Sequence, residues 1–89
     1  VPDAEKLMVK TQLVAEIRKA MDAHGLNQKA AAERMGVPQP KVSGMMRGDF
    51  TNLSERKLMD CLNRLGYDIQ ISVKPASKAM GSLTVAVAA

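Results

Sequence analysis

Residues 27–48 read "NQKAAAERMGVPQPKVSGMMRG", and this stretch decides how the chain folds. Asn27 is a good helix cap, and the alanine-rich run from Gln28 to Met35 is a strong helix former. Gly36 can take the positive φ that ends a helix. A second short helix is expected over Gln39–Met46, closed by Gly48. Pro40 falls in its first turn, where backbone N–H groups have no intrahelical partner, so a proline there loses nothing. Pro38 occupies the N-cap of that helix, where serine or threonine would supply a side-chain acceptor. Two short helices joined by a tight glycine-containing turn form a helix-turn-helix. Ala32 provides the small residue needed where they cross. Ala31, Met35, Val37, Val42 and Met45 fall inward, leaving Gln39, Pro40, Lys41, Ser43, Gly44 and Arg47 outward. That outward face contains no acid. It suits the major groove of duplex DNA, which admits one helix and offers donors and acceptors to amide and basic side chains.

Around this motif the pattern stays helical. Asp3 can cap a helix running to about Ala23, with Leu13, Ile17, Ala20 and Met21 at helical spacing. His24 and Gly25 suit its end. Ser54 can cap a further helix to about Leu65, with Leu58, Cys61, Leu62 and Leu65 as its apolar stripe. After Gly66 the period changes to two: Ile69, Ile71 and Val73 alternate with Asp68, Gln70, Ser72 and Lys74, which reads as one β-strand. Pro75 stops it. Leu83, Val85 and Val87 alternate again, as a second strand or a disordered tail. The expected fold class is mainly α, a λ-repressor-like helix-turn-helix bundle of four to five helices with a C-terminal β-strand. Residues 1–74 would form the domain and 75–89 the tail.

Composition narrows the function. The 89 residues make one domain, with 13 Lys+Arg against 9 Asp+Glu and a net charge of +4. That balance weakly favours a polyanionic partner. Aromatics are 2% of the chain, Phe50 and Tyr67. Stacking on single-stranded bases is therefore nearly closed, whereas duplex binding through Lys, Arg and amides is open. One cysteine, Cys61, and one histidine, His24, leave no disulfide framework and no metal cluster. Cys61 falls on an apolar stripe as a packing residue. No apolar run is long enough to span a membrane and no signal pattern is seen, so a cytoplasmic location is expected. The sequon Asn52-Leu53-Ser54 is read as chance. No Ser–His–Asp spacing, phosphate loop or persuasive carboxylate pair is found. The expectation is a non-enzyme without cofactor or metal.

The run Gln28, Ala32, Gly36, Val42, Ser43 resembles the XRE (Cro-repressor-type) helix-turn-helix family. The wider run with "LSERKLMDCLNRLGYDIQISV" is similar to small XRE-type antitoxins of the HigA kind, in which a strand follows the last helix. Pro38 departs from the Ser or Thr usual in the family's turn. The resemblance implies a transcriptional regulator, an antitoxin repressing its own toxin–antitoxin operon. The alternatives are a module that chiefly neutralises a toxin, or a stand-alone phage-type repressor. It places Gln28, Lys29, Gln39, Pro40, Lys41, Ser43 and Arg47 at DNA. Gln39 would read a base edge, and Arg47 would hold a phosphate. Lys29, Arg34, Arg56 and Lys57 are phosphate clamps or ordinary surface charges.

A lone strand cannot satisfy its own backbone. It must pair with the Leu83–Val87 tail, with a second copy, or with a different protein such as a cognate toxin. The favoured reading is a homodimer through Ile69, Ile71 and Val73. A two-fold dimer would read a pseudo-palindromic operator with half-sites about 34–36 Å apart.

Overall fold

The computed structural model describes residues 3–87. Expectations that fall on residues 1–2 and 88–89, or on the Asp3 side chain, lie outside the described residues. Four helices follow in order: α1 (Asp3–Ala23), α2 (Gln28–Met35), α3 (Gln39–Met46) and α4 (Glu55–Arg64). Their ends are fixed by local chemistry. Asn27 Oδ1 accepts the Ala30 N–H at 2.8 Å at the start of α2. Ser54 Oγ accepts the Lys57 N–H at 3.0 Å at the start of α4. Each bond satisfies a donor that the first helical turn leaves without a partner. Pro38 caps α3 with no side-chain bond. Its carbonyl instead accepts the Lys41 N–H at 3.0 Å.

Helix α1 buries Val9, Leu13, Val14, Ile17, Ala20 and Met21, all on one stripe. It packs principally on α4, while α2 packs on α3 and α4. Leu58, Cys61, Leu62 and Leu65 close the core from the α4 side. Burying a side chain the size of Leu58 contributes about 1.5–3 kcal/mol. Phe50 and Leu53, in the loop between α3 and α4, are also buried, and the pattern of helical stripes gave no sign of them. Among the described residues no polar or charged residue is buried. Burial pushes the Cys61 thiol above its ordinary value; Lys57 and Arg64 pull it down and Asp60 pushes it up.

The turn between α2 and α3 works because Gly36 sits at φ 69°, in the left-handed region that costs other residues about 1–2 kcal/mol. The Val37 N–H then closes onto the Ala32 carbonyl at 3.1 Å. Arg64, held to Asp60 at 3.3 Å, lies across this turn: a Cβ on Gly36 would stand 2.6 Å from its Nη1.

The expected C-terminal β-strand is not formed in the single chain. Among the described residues there is no strand. From Asp68 to Val87 the backbone makes no backbone hydrogen bond among the described residues. The reason is the one that makes single strands rare: a ladder needs a second edge, and within one chain residues 69–73 meet none. The stretch from Asp68 onward still touches the body. Ile69 and Val85 pack against the core, and the Leu83 N–H reaches Glu5 Oε2 at 3.4 Å. Ile71 and Val73 do not, at 78% and 92% exposed.

Candidate nucleic-acid interface

Helix α3 starts at Gln39 and runs over the surface of α2. Val42 and Met45 are fully buried and anchor its inner side. This fixes which side chains remain outside. Gln39, Pro40, Ser43 and Arg47 line one shallow, open depression. They lie one, four and eight residues apart from the first, so they share a helical face. Gln28, the first residue of α2, joins this group from the neighbouring helix. Ser43 Oγ donates to Gln28 Oε1 at 2.5 Å. The bond ties the start of α2 to the middle of α3. With its oxygen engaged, the Gln28 amide has its nitrogen left to donate, the polarity a phosphate oxygen needs.

Lys29 and Lys41 are exposed but stand outside that depression. Among the described residues, Lys29, Lys41 and Arg47 make no ion pair. Their charges are therefore free to face an anion. The expected role of Arg56 and Lys57 fits less well. Both are on α4, and Lys57 faces Asp60 at 3.9 Å.

One residue expected on the outward face is not there. Gly44 is buried. The chain after α3 turns back over it, with the Asp49 N–H on the Gly44 carbonyl at 2.8 Å. A Cβ at Gly44 would meet the Asp49 carbonyl oxygen at 3.1 Å. Its small size thus serves the return of the chain rather than a groove.

Another residue escaped the sequence reading. Arg18 projects from α1, and its Nη2 donates to the Met46 carbonyl at 3.0 Å and the Met45 carbonyl at 3.4 Å. Helix α3 has no basic residue in its own last turn. The Met45 carbonyl already takes the Gly48 N–H at 3.1 Å, but the Met46 carbonyl is left for a donor from elsewhere, and a distant arginine supplies it. That shortage was the available signal, although it does not say which arginine answers it.

The helix-turn-helix domain family matches residues 1–74. A solved structure of an XRE-family transcriptional regulator is similar over 99% of both chains, with 33% identity and a TM-score of 0.86. The chain belongs to the XRE helix-turn-helix family. No curated protein matches it. Within the XRE pattern, Gln28, Ala32, Gly36, Val42 and Ser43 occupy the opening of α2, the buried small position, the left-handed turn, the buried face of α3 and the half-buried position beside it. Among the described residues no helix is long and apolar enough to cross a membrane, and no cluster of His, Cys, Asp or Glu is arranged to hold a metal.

Proposed function

We propose that this chain is a sequence-specific transcriptional regulator that lays α3 in the major groove of duplex DNA. The observation that carries this reading is the acid-free face of Gln39, Pro40, Ser43 and Arg47, braced from α2 by the Gln28–Ser43 hydrogen bond. Gln39 stands at the N-terminal end of α3, the end that enters the groove, where its amide can pair with adenine. Arg47, at the other end, takes a phosphate, as do Lys29 and Lys41. Pro40 stiffens the leading turn. The unit acts as a homodimer, joined through Ile69, Ile71 and Val73, on a pseudo-palindromic operator. Residues 1–74 form the functional domain and 75–89 its tail.

A fluorescent duplex from the gene's own upstream region, titrated beside a scrambled duplex at the same salt, tests the reading. A preference of about 10³ or more is expected. Equal, weak binding to both would sink it. In the same assay Gln39→Ala should cost about 1–3 kcal/mol and relax one base position.

We further propose an antitoxin of the HigA kind, repressing its own operon. This is supported by Leu7 and Met8, which are 47% and 63% exposed on the first turns of α1. They offer an apolar surface to a toxin from a helix other than α3. Co-expression with the product of the adjacent reading frame tests it. Relief of growth arrest, lost on Met8→Asp, is the expected result; an adjacent product without toxicity rules the role out.

A further inference from the structure

The segment Asp68-Ile69-Gln70-Ile71-Ser72-Val73-Lys74 is complementary to itself when run backwards. Set two copies antiparallel with Ile71 on the two-fold axis. Ile71 then faces Ile71, Ile69 faces Val73, Gln70 faces Ser72 and Asp68 faces Lys74. Each apolar residue meets an apolar one on one face of the ladder. Each charge meets its opposite on the other. Directly opposed residues in an antiparallel pair share a face, so this match is the one the pleat requires.

We propose that two copies of this chain join by antiparallel pairing of residues 68–74 centred on Ile71, with Asp68 of each copy against Lys74 of the other fixing the register. The proposal rests on the reading of the protein as a dimer and deepens it by naming the surface and its alignment.

Three observations support it. The backbone from Asp68 to Lys74 is in no helix or turn and makes no backbone hydrogen bond among the described residues, so its donors and acceptors are open to a second edge. Asp68 and Lys74 make no ion pair among the described residues. Ile69 packs on its own core while Val73 stands 92% exposed. In the Ile71-centred register Val73 of one copy lies opposite Ile69 of the other, at the border of that copy's core, and both are covered.

Other registers lose these matches. Centring on Gln70 puts Lys74 opposite Gly66 and Asp68 opposite Ser72. Centring on Ser72 puts Ile69 opposite Pro75, which has no N–H to give a ladder. A slip that is odd in the pairing sets isoleucines against Gln70 and Ser72. Charge therefore selects a second copy in one alignment, whereas the alternating stretch Leu83–Val87 carries no charge with which to answer Asp68 or Lys74.

The experiment uses the full chain. Sedimentation equilibrium first measures the dimer dissociation constant. Asp68→Lys and Lys74→Asp should each weaken dimerisation about tenfold or more, since either change creates two like-charge pairs across the axis. The double variant D68K/K74D should return it close to the parent value. Failure of the double variant to recover overturns the register. Independently, in a Cys61→Ala background, single cysteines at positions 70, 71 and 72 are oxidised. Opposed residues lie about 4.5–5.5 Å apart, within disulfide reach, so Ile71→Cys should cross-link and the other two should not. Cross-linking at 70 or 72 in a protein that still dimerises overturns the register and leaves the dimer standing. A parent chain that stays monomeric at every concentration removes the dimer itself, and pairing within one chain through the tail takes its place.

Discussion

The helical body and the C-terminal tail, meaning everything from Asp68 onward, are both built from alternating apolar and polar residues, and they end up in opposite states. In the body the period is near 3.6, so one chain can close its own hydrogen bonds inside each helix and turn every apolar stripe inward. Val9, Leu13, Val14, Ile17, Ala20 and Met21 on α1, and Leu58, Cys61, Leu62 and Leu65 at α4, are buried as a result. In the tail the period is two. A strand has no bonds of its own to make, and Ile71 and Val73 remain in water. The body is a finished structure, whereas residues 68–74 leave their backbone groups without partners among the described residues. Substitutions in the body should therefore change the stability of a single chain, and substitutions in the tail should change association.

That contrast can be broken or sharpened by unfolding experiments. The largest effect is expected for Leu58→Ala, which empties a fully buried site and should cost about 2–5 kcal/mol in chemical denaturation. Next comes Gly36→Ala. It forces a side chain into the left-handed region beside Arg64 and should cost about 1–2 kcal/mol. Ser54→Ala removes the cap of α4 and should cost about 1 kcal/mol. The smallest is Val73→Ser, measured at concentrations low enough to keep chains apart. It should stay within about 0.5 kcal/mol of the parent. A larger loss from Val73→Ser would mean the tail contributes to the fold of one chain, and the contrast would fail.

Much of the body was legible because its signals are local. Asn27 and Ser54 cap the helices they were expected to cap, and α3 runs from Gln39 to Met46 as its sequence implies. The inward set Ala31, Met35, Val37, Val42 and Met45 is buried. What the pattern missed depends on long-range contact. Phe50 and Leu53 lie in a loop, where no period announces burial. Gly44 lies on α3 at a position whose side is decided by the returning chain at Asp49. Arg18 acts on carbonyls 27 and 28 residues away. The strand is missing from the single chain for a different reason: alternation shows that a segment can pair, and says nothing of whether the partner edge lies in the same chain.

The reach of Arg18 has a consequence for any approach to a polyanion. The exposed end of a helix such as α3 carries roughly half a negative charge on its last carbonyls. Laid along a phosphate backbone, that end would push away while the leading end was drawn in, and the helix would tilt. The Arg18 guanidinium, seated on the Met45 and Met46 carbonyls, offsets that repulsion. With α3 laid on DNA as proposed, it would let both ends lie level, and would do so from α1, without using a side chain on the proposed reading face.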